Sequence, residues 1–378
     1  MAIDNKDKKV LNVPPLRFPE FTEEWEKYKL SEICSFFSGG TPSSSKKEYY
    51  DGNIPFIRSG ELHEEQTELF ITEDGFKNSA AKMVEVGDLL LALYGATSGD
   101  IAISKINGAI NQAILCIRTE QNKKFIESIW RKHVGKLLQT YLQGGQGNLS
   151  ADIVKNISFY FSRIEEQNKL AEFVSLLDER IATQNKIIED LKKLKSAITD
   201  LLFHSIADAH TIRLGKIAHI TNGAGDVQDA NTEHQEDWYP FFDRSEELKW
   251  FPTYSFDKEA VIYAGEGQSF YPRYYNGKFA LHQRCYAITD FASCIIPKYC
   301  YHFMNTLNSY FVRNSVGSTV PSLRMDIFQK VEIRLPPISK QQHICKIIDA
   351  FYTKLEVEQR SISILQELKQ FLLSQMFI

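Results

Sequence analysis

The chain lacks most of the marks that would commit it to a particular chemistry. Its six cysteines, at 34, 116, 285, 294, 300 and 345, form no Cys-x-x-Cys pair, and no histidine pair stands at zinc-finger spacing. That argues against a zinc module or a disulfide framework and for reduced, packed thiols of a cytosolic protein. The longest apolar run, Leu89 to Tyr94, is far short of the roughly 20 residues that span a bilayer. No signal-peptide core precedes it, since the opening residues carry Asp4, Lys6, Asp7, Lys8 and Lys9. A soluble, cytoplasmic protein with no membrane partner is expected. Only 20 Gly and 12 Pro occur in 378 residues, which excludes collagen-like or bulk-disordered material. Charge of one sign is missing too: 44 Lys and Arg face 48 Asp and Glu, a net −4, so any basic surface has to be local.

Catalytic signatures are equally scarce. Gly144-Gly145-Gln146-Gly147 and Gly265-Glu266-Gly267 lack the Gly-Lys-Ser/Thr that completes a phosphate loop, and no dinucleotide fingerprint occurs. Asn12-Val13-Pro14-Pro15 lacks the aromatic residue of the adenine N6-methyltransferase tetrapeptide. Gly95-Ala96-Thr97-Ser98-Gly99 has Thr where a nucleophile elbow needs its nucleophile. Both read as turns.

What the chain does have is a repeat, in a length that exceeds one ordinary domain. A shift of 174 positions lays Leu149-Ser150-Ala151-Asp152-Ile153 on Leu323-Arg324-Met325-Asp326-Ile327, Ile164 on Ile338, Gln167 on Gln341, Lys195 on Lys369 and Phe203 on Phe377. Apolar residues at 170, 174, 177, 181, 188, 191, 198 and 202 follow the alternating three-and-four spacing of a coiled-coil seam, interrupted by Gln184 and Lys195. The second copy runs 344, 348, 351, 355, 362, 365, 372 and 376, with Glu358 and Lys369 at the same two interruptions. The seam residues singled out are Leu170, Leu177, Ile181, Ile188 and Leu191 in one helix and Ile344, Phe351, Leu355, Ile362 and Leu365 in the other. With no Pro or Gly from 165 to 203 or from 338 to 378, each run permits an unbroken helix, and matched polar breaks favour an antiparallel pair.

Ahead of each helix lies a second repeat at a shift of 184, Lys29-Leu30-Ser31-Glu32-Ile33 with Ser38-Gly39 against Arg213-Leu214-Gly215-Lys216-Ile217 with Asn222-Gly223. The ends of the two segments agree and their middles diverge, as in one scaffold carrying two specificities. The expected plan is an N-terminal arm over 1–27, recognition domains over 28–160 and 204–336, and long helices over 161–203 and 337–378. The fold class is α+β: two pseudo-repeated α/β domains separated by two long helices that form an antiparallel coiled coil. Strands are expected at 88–94, 101–104 and 113–117, and helices at 123–142 and 297–313.

The most chemically concentrated stretch is 268–284. It holds Arg273, Lys278, His282 and Arg284, no acidic residue, and interleaved aromatics including Tyr274 and Tyr275. Basic groups meet phosphates, Arg reads guanine edges and aromatic rings pack on backbone or bases. Asn276-Gly277 is the expected turn of a hairpin whose face touches DNA. Gln283, Arg244, Ser318, Thr319 and Ser322 complete the candidates of the second domain. The first domain offers smaller polar groups suited to base edges, at Tyr94, Thr97, Ser98 and Gln112, together with Ser43, Ser44, Arg58, Gln146 and Asn148.

The order domain, long helix, domain, long helix resembles the specificity subunit of bacterial type I restriction-modification enzymes. Trp25, Lys29-Leu30 and Ile33, Ser38-Gly39-Gly40-Thr41-Pro42, Tyr49 to Phe56, Gly87 to Leu90, Asn111-Gln112, and the helix openings Glu165-Glu166-Gln167 and Lys340-Gln341-Gln342 carry that resemblance. It implies two target-recognition domains, each binding one half of a split site in double-stranded DNA, and a coiled coil that sets the spacer. It further implies no cofactor of the chain's own, modification (methyltransferase) subunits docked on the scaffold, and restriction subunits for cleavage. S-adenosylmethionine, ATP and Mg2+ belong to those partners. Ser162-Arg163-Ile164 departs from the family pattern, lacking the Pro-Pro found at 336–337. The other reading is a coiled-coil scaffold with two protein-binding domains.

Overall fold

The computed structural model describes residues 11–141, 149–204, 209–317 and 319–378. The chain divides into two compact units, one of residues 1–185 with 361–378 and one of residues 186–360, so each unit contains part of both long helices.

In the first unit β1 (Glu26–Lys29) leads through the short α1 (Leu30–Ile33) into β2 (Cys34–Ser38), followed by β3 (Tyr50–Ile57), β4 (Phe70–Ile71), α2 (Glu73–Lys77), β5 (Lys82–Val84), β6 (Leu89–Ala92), β7 (Ile101–Ile103), β8 (Gly108–Ile110) and β9 (Ile114–Thr119). Strands β2 to β9 form two sheets of order β2-β9-β6-β7 and β4-β3-β8-β5. Leu89, Leu90, Leu91 and Ala92 are all buried, which explains the apolar run: a central strand covered on both faces needs no polar alternation. Then come α3 (Lys123–Tyr141), α4 (Ala151–Asn156), β10 (Ser158–Phe161) and the long α5 (Ile164–His204). The Ser150 hydroxyl caps α4 by accepting from the Ile153 N–H at 3.1 Å.

The second unit begins with β11 (His210–Arg213) and β12 (His219–Asn222) and continues through β13 (Tyr239–Phe242), β14 (Lys249–Phe251), β15 (Phe256–Ala264), β16 (Arg273–Leu281) and β17 (Cys285–Thr289). Strands β12 to β17 make one six-stranded sheet, β12-β17-β15-β16-β13-β14. After it come α6 (Pro297–Met304), α7 (Asn308–Asn314), α8 (Met325–Gln329), β18 (Glu332–Leu335) and the long α9 (Ile338–Met376).

The duplication is legible strand by strand. Antiparallel β1 and β10 place Glu26 opposite Phe161, and β11 and β18 place His210 opposite Leu335, the two shifts of the sequence repeat in one register. In each unit one strand pair is parallel, β3 with β8 and β13 with β16. The single long strands β15 and β16 take the places of β5 with β6 and of β7 with β8, so a sheet split in the first unit is continuous in the second.

The seam positions, from Leu170 to Leu365, are all buried or half-buried. Within the first unit α5 and α9 run antiparallel: Leu170 and Val174 share a core with Leu373, Met376 and Phe377, and Asp178 pairs with Lys369. Within the second unit Phe203 shares a core with Ile344 and Ile348, and the Lys195 ammonium lies 4.1 Å from the Tyr352 ring centre. Asp178 and Tyr352 are equivalent under the 174 shift, so each seam lysine meets the same position of the opposite helix. The helices have 41 and 39 residues, hence about 60 Å each. No described helix is long and apolar enough to cross a membrane.

Three expectations need correction. Asn276-Gly277 is not a turn: it lies inside β16, with Gly277 opposite Lys258, and the chain reverses instead between β15 and β16 over 265–272. Gly277 has φ +132°, a conformation that favours glycine without any reversal. The helix expected over 297–313 breaks at Asn305 to Leu307 into α6 and α7. The strand expected to reach Gly95 stops at Ala92, because residues 93–99 fold into a tight turn in which the Gly99 N–H bonds the Ala92 carbonyl at 2.8 Å. The arm packs on the first unit through buried Trp25 and through Arg17, whose guanidinium holds the buried Glu166 carboxylate with two bonds of 2.7 Å.

Candidate functional site

Corresponding loops at corresponding sheet positions carry most of the candidate residues. The chain after β2 folds back against the end of β8, and the chain after β12 against the end of β16. A Cβ on Gly39 would stand 1.7 Å from the Ile110 carbonyl oxygen, and one on Gly223 would stand 2.0 Å from that of Leu281. Only glycine permits that approach, which is why Ser38-Gly39 recurs as Asn222-Gly223. Each contact sets the loop beside the short connection that follows, Asn111-Gln112 in one unit and His282-Gln283 in the other.

In the first unit the Thr41 hydroxyl donates to Gln112 Oε1 at 2.6 Å, leaving the exposed amide NH2 directed by that bond. Ser43 and Ser44 are exposed on the same loop, the Ser43 hydroxyl meeting that of Ser45 at 2.8 Å. His63 Nε2 lies 2.8 Å from Asp100 Oδ2, which joins the β3–β4 loop to the 93–100 turn. Tyr94 is half-buried against the main core, and burial raises its hydroxyl pKa. Ser98 is committed to the turn, donating to the Leu93 carbonyl at 2.9 Å, and Thr97 is half-buried with its carbonyl accepting from Asp100 N–H. Arg58 is not a free cation. It bonds Glu61 at 2.8 Å and Glu68 at 3.0 Å beside a depression of about 530 Å³ rimmed by Glu64 and Gln66. Burial raises the Glu61 carboxyl, but bonds from Arg58 and the backbone outweigh it and bring the pKa down to about 2. Gln146, Asn148 and Ser318 lie outside the described residues.

In the second unit a cleft of about 610 Å³ gathers Arg244, His282, Gln283 and Arg284 with Asp226, Gln228, Asp243, Lys249 and Glu266. Arg244, Gln283 and Arg284 are exposed and His282 is half-buried. Arg284 Nη1 bonds Glu266 Oε1 at 2.6 Å, and its backbone N–H donates to His282 Nδ1 at 3.2 Å. Asp243 is buried and ion-paired with Lys249 at 2.7 Å. Ser322 exchanges both backbone bonds with Val316 at 2.9 Å and bridges to Glu266 of the cleft, and Thr319 is exposed on the same segment.

The strand β16 contributes less uniformly than its composition suggests. Arg273 donates to the Ser245 carbonyl and lies over the Phe242 ring. Tyr274 donates to Glu259, and Tyr275 packs on Phe242 and Phe279. Lys278 is exposed, 4.7 Å from the Tyr254 ring centre. The acid-free stretch is therefore neutralised in part, Arg284 by Glu266 just ahead of it, while Glu259 of β15 accepts from Tyr274.

Sequence reasoning missed a third repeat. Pro55-Phe56-Ile57-Arg58 and Pro240-Phe241-Phe242-Asp243 occupy the same parallel strand, at a shift of 185, one residue beyond the larger of the two offsets followed above. It also missed the acidic partners Glu61, Glu68 and Glu266: Glu61 stands only three residues after Arg58, whereas Glu68 and Glu266 are ten and eighteen residues from their arginines and have no local signature.

Among the described residues no cluster of three or more His, Cys, Asp or Glu could hold a metal ion. Fold and loops together define a duplicated α+β binding protein: two sheet modules, each closed by the first turns of one long helix and the last turns of the other. The family model for the type I restriction modification DNA specificity domain matches residues 22–193 and 207–369. The chain belongs to that family. It is 31% identical over 165 residues to the type I restriction enzyme EcoDI specificity subunit of Escherichia coli, covering 43% of this chain but only 36% of that protein. It is 23% identical over 407 residues to the MjaIX specificity subunit of Methanocaldococcus jannaschii, covering 93% of this chain and 92% of that one. The crystal structure of a type I restriction-modification S subunit from M. genitalium superposes with a TM-score of 0.64 over 97% of this chain and 99% of that chain, at 16% identity, a likeness of fold.

Proposed function

We propose that this chain reads duplex DNA as the specificity subunit of a type I restriction-modification assembly, each unit contacting one half of a bipartite site. The observation that carries this reading is one loop cluster duplicated on the same sheet positions with unlike side chains, neutral amides and hydroxyls around Gln112 and a charged cleft around Arg284. Two half-sites of different sequence call for a shared scaffold with different surfaces. The family match and relatives named as specificity subunits support it.

In the second unit Arg244, Gln283 and Lys278 are the exposed groups that reach DNA, Arg284 joins them by leaving Glu266, and Arg273, Tyr274 and Tyr275 shape the strand beneath. In the first, Ser43, Ser44 and Gln112 take that place, and Arg58 could do so only by leaving its carboxylates. The paired long helices act as a ruler for the unread spacer, since both modules have to face one duplex. The chain has no catalytic role of its own. Modification subunits supply methyl transfer with S-adenosylmethionine, and restriction subunits supply cleavage with ATP and Mg2+, in the cytoplasm. A scaffold with two protein-binding modules is not favoured, because the family match and the relatives named as specificity subunits support the DNA-reading role instead.

The test is a titration of the chain, complexed with its modification subunits, against duplex libraries at moderate salt. Selection of a two-part sequence with a fixed gap is expected; equal affinity for all duplexes overturns the proposal.

A further inference from the structure

Two glutamines that the sequence repeat places in register do the same work in both units and take no part in the loop clusters. Gln167 and Gln341 are fully buried in the first turn of α5 and of α9. Gln167 Nε2 donates to the Ser162 carbonyl and to Gln121 Oε1, both at 2.7 Å, and its Oε1 accepts from the Asn122 N–H at 3.1 Å. Gln341 Nε2 donates to the carbonyls of Pro336 and Cys294, and its Oε1 accepts from the Ile296 N–H, all at 2.9 Å. Ser162 and Pro336, like Asn122 and Ile296, are equivalent under the 174 shift. Each amide thus uses both hydrogens and its oxygen to tie three pieces: the segment leaving the terminal strand, the start of α3 or α6, and the long helix itself.

A second strut stands beside each clamp. Lys124 in the first turn of α3 bonds Asp178 of α5 at 2.8 Å, and Lys298 in the first turn of α6 bonds Asp349 of α9 at 2.8 Å. Other polar contacts join module and long helix, among them Trp25 to Glu166 and Asn122 to Asn168 in one unit and His302 to Asp349 and Asn305 to Tyr352 in the other, around an apolar core of Phe125 and Phe161 with Leu170 and Val174 and of Tyr299 and Phe303 with Ile344 and Ile348. Apolar contact is non-directional and tolerates sliding, whereas an amide with three short bonds admits one orientation.

We propose that Gln167 and Gln341 are the joints that fix the angle at which each recognition module leaves its long helix, and are therefore positioning residues for spacer discrimination. The inference rests on the DNA-reading function above. Adding one base pair to a spacer rotates one half-site against the other by about 35° and moves it by about 3.4 Å. A ruler can reject that change only if its ends do not pivot, so slack in the joints converts directly into spacer tolerance. Base selection, set at the far loops, does not depend on the joint.

The experiment uses the complex with modification subunits and a duplex carrying both half-sites, compared with duplexes whose spacer is one base pair longer and with duplexes altered at one half-site base. In the variant Gln167→Met/Gln341→Met the affinity ratio between native and lengthened spacers should fall about tenfold, the order of one buried hydrogen bond lost per joint. The ratio for the altered base should stay unchanged. A purely structural role would lower the melting temperature and weaken all duplexes alike, leaving the spacer ratio intact, and that result overturns the proposal. Should the double variant not fold, the single variants decide in the same way, each expected to lower the ratio about threefold. If the unaltered complex shows no spacer preference, the function reading fails first. If it does and the variants keep it, only the joint fails.

Discussion

Replacing Gly223 by Ala offers a direct test of how the loop clusters are held. The new Cβ would stand 2.0 Å from the Leu281 carbonyl oxygen, and the same change at Gly39 would put it 1.7 Å from that of Ile110. Ordinary carbon-to-oxygen contact begins near about 3.3 Å, so loop or strand has to move by more than about 1 Å. Both obstacles are backbone atoms at the ends of paired strands, which cannot swing aside as a side-chain tip would. Overpacking of this kind costs about 1–3 kcal/mol in stability. The displacement also exceeds the about 0.5 Å within which binding groups have to be held. One bidentate base contact is worth about 1–3 kcal/mol, so discrimination at one half-site should fall about tenfold or more. The assay is competition binding by the complex with modification subunits, using duplexes scrambled in either half-site. Gly223→Ala should lose selectivity for one half and Gly39→Ala for the other. If either variant discriminates both halves like the unaltered chain, the glycine contact does not position the reading loop.

Three further outcomes follow from the geometry. Lys278→Ala and Arg284→Ala should each weaken binding and reduce the slope of log affinity against log salt by about one if the residue meets a phosphate; an unchanged slope with unchanged affinity removes that residue from the interface. Asp178 sits between Lys124 and Lys369, and although burial raises its carboxyl pKa, bonds from the two lysines outweigh this and hold it low. A double-mutant cycle of Asp178→Asn with Lys369→Met should give a coupling of about 0.5–1 kcal/mol, limited by solvent screening at a carboxylate one third exposed, and zero coupling in thermal unfolding would show the pair to be idle. His302 is buried with Nε2 3.0 Å from Asp349 and Nδ1 without a partner, and burial lowers its pKa against the opposing pull of Asp349. With the folded pKa below the unfolded one of about 6.5, its contribution is fully present above about pH 7 and is lost as pH falls, so His302→Phe should narrow the gap between melting temperatures at about pH 7.5 and about pH 5.5. An equal gap in both proteins counts against this account.

The long helices were the most legible part of the sequence because a 3.5-residue seam is written in consecutive residues and survives without any partner on the page. The strands β7 and β9 were legible for the same local reason. Their pairing was not: nothing in Tyr239 to Phe242 announces a parallel neighbour at Ala280 and Leu281. Asn276-Gly277 misled because the same dipeptide suits a tight turn and a glycine conformation inside a strand, and the ladder to β15 decided between them. At the candidate site, residue types singled out the basic stretch, while the carboxylates that engage it, Glu259 accepting from Tyr274 and Glu266 paired with Arg284, come from β15 and the turn after it. A carboxylate brought in by a neighbouring strand or a turn leaves no period and no spacing to read.

Phe377 fills the same core as Trp25 and Phe125, whereas the core around Phe203 draws, among the described residues, on side chains up to Tyr352. On a ribosome the two units therefore finish in the reverse of their order of synthesis. The module made first stays open at its base until the last turns of α9 have emerged, while the module made second can close before them. During that interval the nascent chain exposes an aromatic socket at its N-terminal end, which makes the time of translation, and any chaperone that covers the socket meanwhile, part of what the final helix turn has to satisfy.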